Sequence, residues 1–202
     1  AALSDSLEGA DPGATTGFRS GVDHWRTRPA FRAFAADSPV PQLIGGLLRA
    51  TSVRLYEDSV LVKEPGTPHR TAWHQDLSYF NLSGSQLATT WIPLDVATTE
   101  SGAMRFVRGS HRWGEVYQPN LFVSDMVIPG TSGRPVPDLD TEASDDIISF
   151  DLGPGDLTVH HALTLHAAGG NTSDRRRRAL SIRYCGPDAR FERREGTILK
   201  AY

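Results

Sequence analysis

The chain has 202 residues, 39% of them hydrophobic and 22% charged, with 19 Gly and 13 Pro. That length suits one domain with its own hydrophobic core, and the composition excludes a disordered or fibrous chain. A formal net charge of −3 gives no global basic field to attract nucleic acid or a membrane surface, and the single cysteine, Cys185, excludes an intrachain disulfide and Cys-rich zinc sites.

In chain order, the first 50 residues are expected to be helical. Pro29 opens a short helix over 29–36 that would bury Phe31 and Phe34. Ser38 caps a second helix starting at Pro39, in which Val40, Leu43, Ile44, Leu47 and Leu48 form one apolar stripe at i, i+3, i+4, i+7 spacing. From residue 52 the texture changes to short strands, expected at 53–56, 60–63, 89–96, 104–107, 147–151, 156–161 and 177–184. Pro65-Gly66, Ser101-Gly102, Gly153-Pro154-Gly155 and Gly169-Gly170-Asn171 supply the turns. Residues 115–145 lack a pattern, and a loop that long inside a compact domain is expected to be a lid or a mobile segment.

Helices followed by many short strands predict an α+β, mainly β fold: a jelly roll with N-terminal helices packed on one sheet. The expected domain map is one domain over 1–202, with helical support over 1–51 and the jelly-roll core over 52–187. No apolar run reaches the roughly 20 residues of a membrane helix. The first residues also lack the basic start and apolar core of a signal peptide, so the cytoplasm is the expected compartment. Residue 1 is Ala, not Met, and the native chain is therefore expected to start upstream.

Histidines occur at 24, 69, 74, 111, 160, 161 and 166. In Trp73-His74-Gln75-Asp76 an H-x-D step on an extended strand puts imidazole and carboxylate on one face. A third histidine from a distant strand would complete a two-histidine, one-carboxylate triad, which leaves coordination positions open and marks non-haem Fe(II) oxygenases. Further on, His166 ends a short strand, a Gly-rich turn follows, and the run Arg175 to Arg178 opens the next strand. Adjacent antiparallel strands would then bring an arginine near the metal, where its planar fork could grip the far carboxylate of 2-oxoglutarate.

Trp73-His74-Gln75-Asp76-Leu77-Ser78-Tyr79-Phe80, Glu100-Ser101-Gly102-Ala103-Met104, Arg108-Gly109-Ser110-His111-Arg112 and the block around His166 together resemble the phytanoyl-CoA dioxygenase family. The resemblance runs over about 53–184 and stays in register at several separated places. It implies a double-stranded β-helix, an enzyme using Fe(II), 2-oxoglutarate and O2 to oxidise a small molecule, and His74, Asp76 and His166 as iron ligands. It also selects Arg177, eleven residues past His166, for the cosubstrate, and points to Trp91 nearby. Family members often carry Ser two residues after the second histidine. Here that residue is Ala168, so Thr89 or Ser181 is expected to assist. Halogenases of the family lack the carboxylate, so Asp76 implies hydroxylation, desaturation or ring closure, and bacterial secondary metabolism is the expected setting.

Strand parity tests Arg177 independently. If it points inward, Ala179, Ser181 and Arg183 share its face, while Arg178, Leu180, Ile182 and Tyr184 face the other way. The first set suits a wet pocket and the second suits packing against helices. This nominates Arg183 as a second inward cation for substrate. Lys63 could line the mouth, although a solvated lysine is the simpler expectation. His161 is the rival to His166 as ligand; His160 and His161 are otherwise expected to orient neighbours, and His111 to stabilise its loop. A cupin-like metal-dependent isomerase or sensor is the alternative function, and it would have no need of Arg177.

Overall fold

The structure, a computed structural model, describes residues 14–15, 17–140 and 146–197. Two antiparallel sheets face each other. The larger uses β1 (Ala14–Thr15), β2 (Phe18–Val22), β3 (Arg54–Lys63), β6 (Leu87–Pro93), β9 (Thr158–His161) and β11 (Arg177–Cys185), in the order β1-β2-β3-β11-β6-β9. The smaller uses β4 (Thr71–His74), β7 (Met104–Val107), β8 (Ile147–Ser149) and β10 (His166–Ala168), in the order β4-β10-β7-β8. A two-stranded ribbon pairs β5 (Leu82–Ser83) with β12 (Arg190–Phe191). This is the expected jelly roll, mainly β, with helices on one sheet.

Both helices form where the sequence places them. Helix α1 (Pro29–Asp37) begins on a proline, whose fixed φ suits a first turn and whose missing N–H would have had no partner there. Helix α2 (Val40–Leu48) starts one residue later than expected, with Ser38 Oγ accepting from Val40 N–H at 3.3 Å. It stops at Arg49, which takes the left-handed conformation at φ 50° and donates its N–H to Gly45 and Gly46 carbonyls. Phe31, Ala35, Val40 and Ile44 pack on Val60, Val62, Ile92, Leu180 and Ile182, the outer face of the large sheet. Tyr184 Oη adds a 2.7 Å bond to the Ala35 carbonyl. Among the described residues no helix is long and apolar enough to cross a membrane.

Several expectations need correction. Residues 14–15 and 18–22 are strands, not helix: β2 pairs with β3 from Phe18↔Lys63 to Val22↔Ser59 and extends the large sheet. Residues 1–13 lie outside the described residues. The strands expected at 53–56 and 60–63 are one ten-residue strand. The polar step between them is buried and partnered: Glu57 and Ser59 meet Arg183, and Asp58 accepts from Trp25 N–H at 3.2 Å. The apolar stripe of α2 is narrower than its sequence suggests. Val40 and Ile44 sit on the sheet, while Leu43 and Leu47 are 45% and 59% exposed. Phe34 is only partly buried.

Parity on β11 holds. Arg177, Ala179, Ser181 and Arg183 face the space between the sheets, and Leu180, Ile182 and Tyr184 meet the helices. Arg178, on the outer face, pairs with Asp95 at 2.8 Å.

Replacing Ile44, fully buried against the sheet, by Ala is expected to cost about 2–5 kcal/mol. Leu47→Ala on the exposed row should stay within about 0.5 kcal/mol. Urea midpoints of the two variants check which row carries the packing.

Candidate metal centre

His74 is the last residue of β4. Gln75 keeps an extended backbone (φ −115°, ψ 135°), so side-chain alternation carries through to Asp76, which opens a 3-10 turn over Asp76–Tyr79. His166 opens β10 and stands opposite His74 in the antiparallel register. The ligating atoms of His74, Asp76 and His166 lie within 4.8 Å of one another, and all three residues are buried.

Backbone carbonyls set the chemistry of the imidazoles. His74 Nδ1 lies 2.8 Å from the Ala72 carbonyl, and His166 Nδ1 lies 2.9 Å from that of Thr164. A carbonyl only accepts, so each Nδ1 carries the hydrogen and each Nε2 presents a lone pair. Both Nε2 atoms stand 3.8 Å from Asp76 Oδ1. Burial pushes both imidazoles below their ordinary pKa, which keeps them neutral. Burial alone would raise Asp76; the charge of Arg183, with guanidinium Nη2 3.7 Å from Oδ1, outweighs it and holds the carboxyl well below the usual range. Two neutral nitrogens and one anionic oxygen, each with an oriented partner behind it, fit a ferrous ion.

His74 and His166 line a cavity shared with Leu61, Trp91, Met104, Ala168, Arg177, Ser181 and Arg183. Arg177 is buried and donates only to backbone among the described residues, to the Ser101 and Leu61 carbonyls at 3.3 Å each. Its guanidinium lies 5.5 Å from the Trp91 ring. Burial lowers its pKa to about 10, so it stays cationic at neutral pH. Arg177 does not arrive on a strand adjacent to His166, as the sequence suggested. It belongs to β11 in the opposite sheet and reaches the cavity across the sandwich. Nor does His166 end its strand; it begins β10.

Other expectations shift as well. Thr89 is not free for cosubstrate, because its hydroxyl donates to Asp76 Oδ2 at 2.5 Å. Ser181 lines the cavity while donating to the Thr90 carbonyl at 3.1 Å. Arg183 pairs with Glu57 at 3.3 Å as well as with Asp76, which gives it protein carboxylates to neutralise it. Lys63 is not solvated: it is fully buried, with Nζ donating to the Gly169 carbonyl and lying over the Phe18 ring at 5.2 Å. His160 joins the site, its Nε2 3.6 Å from Asp76 Oδ2. His161 points away, bonded to the Ser85 carbonyl at 2.9 Å and to Leu163 N–H at 3.1 Å. His111 is exposed, 5.8 Å from His161.

With this geometry in place, comparison with known proteins decides the family. The sequence profile of the phytanoyl-CoA dioxygenase (PhyH) family matches residues 4–179. The chain belongs to that family. A relative from Stutzerimonas stutzeri, described as a probable alpha-ketoglutarate-dependent hypophosphite dioxygenase, is 31% identical over 140 residues, covering 68% of this chain and 47% of that one. The 1-deoxypentalenic acid 11-beta-hydroxylase of Streptomyces arenae is 26% identical over 127 residues, covering 63% and 43%. The chain thus spans just under half the length of these curated relatives. Among solved structures, the carbocyclase SnoK from nogalamycin biosynthesis superposes with a TM-score of 0.71 at 23% identity, over 100% of this chain and 82% of that one, and shows the shared fold.

Sequence reasoning missed the residues that brace the H-x-D segment. Gln75, fully buried between His74 and Asp76, accepts from Tyr117 N–H at 2.9 Å and donates to the Glu115 and Leu163 carbonyls at 3.1 and 2.9 Å. Ser78 donates to the Tyr117 carbonyl at 2.7 Å, and Asn120 Nδ2 to that of Trp73 at 2.9 Å. The unpatterned stretch, described over 115–140, is therefore tied to the strand and turn that carry His74 and Asp76. Residues 141–145 lie outside the described residues. The only signal in the sequence was a polar residue, Gln75, wedged between two ligand candidates.

Burial, reinforced by Arg177, pushes Lys63 down to about 6. The unfolded chain holds that proton up to about pH 10.4, so between the two values unfolding takes up a proton and stability should rise with pH. Below the folded pKa the benefit is lost. Lys63→Met should flatten this rise, which denaturant midpoints across the window will read; an unchanged slope would place the titration elsewhere.

Proposed function

We propose that this chain is a mononuclear non-haem iron(II), 2-oxoglutarate-dependent oxygenase that hydroxylates, desaturates or oxidatively cyclises a small organic molecule. The observation that carries the reading is the pairing of a His–Asp–His cluster, whose two histidines line one cavity, with a buried arginine on the same wall that donates only to carbonyls among the described residues. A metal-dependent isomerase or sensor needs the cluster and has no use for the arginine.

His74, Asp76 and His166 would hold the iron through two Nε2 atoms and a carboxylate oxygen. Bound iron, 2-oxoglutarate and O2 together supply the oxidising power that breaks a substrate C–H bond. Arg177 clasps the far carboxylate of the cosubstrate, since a bidentate guanidinium suits that group and no protein carboxylate bonds to it among the described residues. The indole N–H of Trp91 lies buried beside Arg177 without a hydrogen-bond partner among the described residues, and is a second donor for the same carboxylate. With alanine at 168, the Ser181 hydroxyl lines the same cavity and would serve as a third donor only by turning away from the Thr90 carbonyl. Thr89 and Arg183 keep Asp76 ionised and oriented. The 115–140 segment braces the ligand strand and keeps bulk water from its outer face, as a lid does.

Relatives that act on 1-deoxypentalenic acid and in nogalamycin biosynthesis support a role in bacterial secondary metabolism. The retained carboxylate at 76 argues for oxygenation over halogenation. The reading also needs neither a nucleic-acid nor a membrane partner, and is compatible with a cytoplasmic setting.

Asp76→Ala should abolish iron-dependent release of succinate from 2-oxoglutarate; undiminished release would defeat the assignment. In anaerobic calorimetry, 2-oxoglutarate should bind only when Fe(II) is present. Arg177→Ala should weaken that binding by roughly 10–100-fold, the value of a charge-assisted hydrogen-bonded pair. Metal-independent binding, or none, would favour the isomerase or sensor.

A further inference from the structure

Phe122 has a backbone that its side chain does not favour. Its φ is 65°, in the left-handed region where a bulky residue is strained. A hydrogen bond from Val123 N–H to the Leu121 carbonyl, 2.7 Å, closes a three-residue γ-turn around it, and the positive-φ form of that turn is the rare and strained one. Both of its own backbone groups are engaged in holding the turn. Phe122 N–H donates to Asn120 Oδ1 at 2.9 Å, and its carbonyl accepts from Ala72 N–H at 2.8 Å, on the strand that ends in His74. Strain of this kind persists where surrounding contacts over-determine it, and it concentrates at functional sites.

The enforced conformation aims the ring into the cavity. It stacks on Phe18 at 6.5 Å and meets the edge of His74 at 5.0 Å, with an interplanar angle of 65°. It is half-buried, so one side lines the cavity and the other is open. Its neighbours in the loop are exposed and apolar: Leu121 at 42%, Val123 at 41% and Met126 at 65%.

The charges in the cavity narrow the ligand further. Arg177 is taken by the cosubstrate, and Arg183 is neutralised by Glu57 and Asp76. No third cationic side chain lines the cavity among the described residues. An anionic group on the substrate, such as a phosphonate, would lose its hydration with no charge to replace it. An apolar or aromatic face would meet Phe18, Phe122 and Met104.

We propose that Phe122 is a specificity-determining residue of the oxygenase, held by its γ-turn to form the cavity wall against which an apolar face of the substrate packs. This rests on the oxygenase reading and adds the substrate class: a molecule presenting an apolar or aromatic surface to the metal side, not a small phosphorus oxyanion.

The test uses the full chain loaded anaerobically with Fe(II) and 2-oxoglutarate, and two probe sets. One set is apolar (1-naphthol, cyclohexanol, camphor) and the other anionic (methylphosphonate, 2-aminoethylphosphonate, phosphite). Binding is read by saturation-transfer NMR on the Zn(II) and N-oxalylglycine form and by perturbation of the visible band of the ferrous form. The unaltered chain should bind the apolar set and not the anionic one. Phe122→Ala should weaken the apolar probes at least tenfold. Phe122→Gly, which accommodates the positive φ and removes the ring, should do the same even if the alanine variant folds poorly. Preference for the oxyanions, no binding of any apolar probe, or unchanged affinity in the glycine variant would overturn the proposal. Cosubstrate binding by the unaltered chain, measured first, reports separately on the oxygenase reading: if it fails, that reading falls, and if it succeeds while the probe results go the other way, only the role of Phe122 falls.

Discussion

The Asp76 carboxylate is 3% exposed, in a setting where an uncompensated negative charge would cost several kcal/mol. The structure surrounds it with polar and charged side chains from separate strands. Thr89 on β6 and His160 on β9 face Oδ2, while Arg183 on β11 and the imidazoles of β4 and β10 face Oδ1. The two oxygens are therefore distinct before any metal arrives. One is fixed by the hydroxyl of Thr89; the other is aimed at the space between His74 and His166. Preorganisation of this kind lets three side chains act as one chelating unit.

Strand β11 carries two cations with opposite assignments. Arg183 is surrounded by protein carboxylates and belongs to the scaffold of the site. Arg177, six residues earlier on the same face, donates only to carbonyls among the described residues, and under the proposed function its charge serves an anion that enters the cavity. Lys63 stands directly opposite Arg177 in the register, and burial beside that guanidinium drives it toward the neutral form. One net charge is thereby held where two would repel. Gly102 completes the arrangement. At φ 80° it lets the turn bearing the Ser101 carbonyl come so close to the next loop that a Cβ would meet the Gly169 carbonyl oxygen at 2.7 Å.

The 115–127 stretch links the metal centre to the substrate side. Its hydrogen bonds to Gln75, Ser78 and Trp73 brace the ligands, and two residues beyond Asn120 the same stretch places Phe122 in the cavity. Under the proposed roles, ligand geometry and substrate shape are coupled through one short run of backbone, and a change in this loop would be felt on both sides.

Much of this was legible in the residues. The H-x-D step, the histidine ninety residues later, the parity of β11 and the helix signals at Pro29, Ser38 and Pro39 each express a local rule: strand alternation, ligand chemistry or capping. Those rules act over a few residues and survive without knowledge of the fold. What the sequence left undecided depends on which surfaces meet. The burial of Lys63, the diversion of Thr89 to Asp76, the exposure of Leu43 and Leu47, the fusion of two expected strands across Glu57-Asp58-Ser59 and the approach of Arg177 from the opposite sheet are all contacts between segments remote in the chain. A polar run reads as a turn until an arginine from another strand pairs with it, and a lysine reads as solvated until two loops close over it. Tertiary packing alone supplies those partners, because burial and charge compensation belong to pairs of surfaces and not to any one stretch of chain.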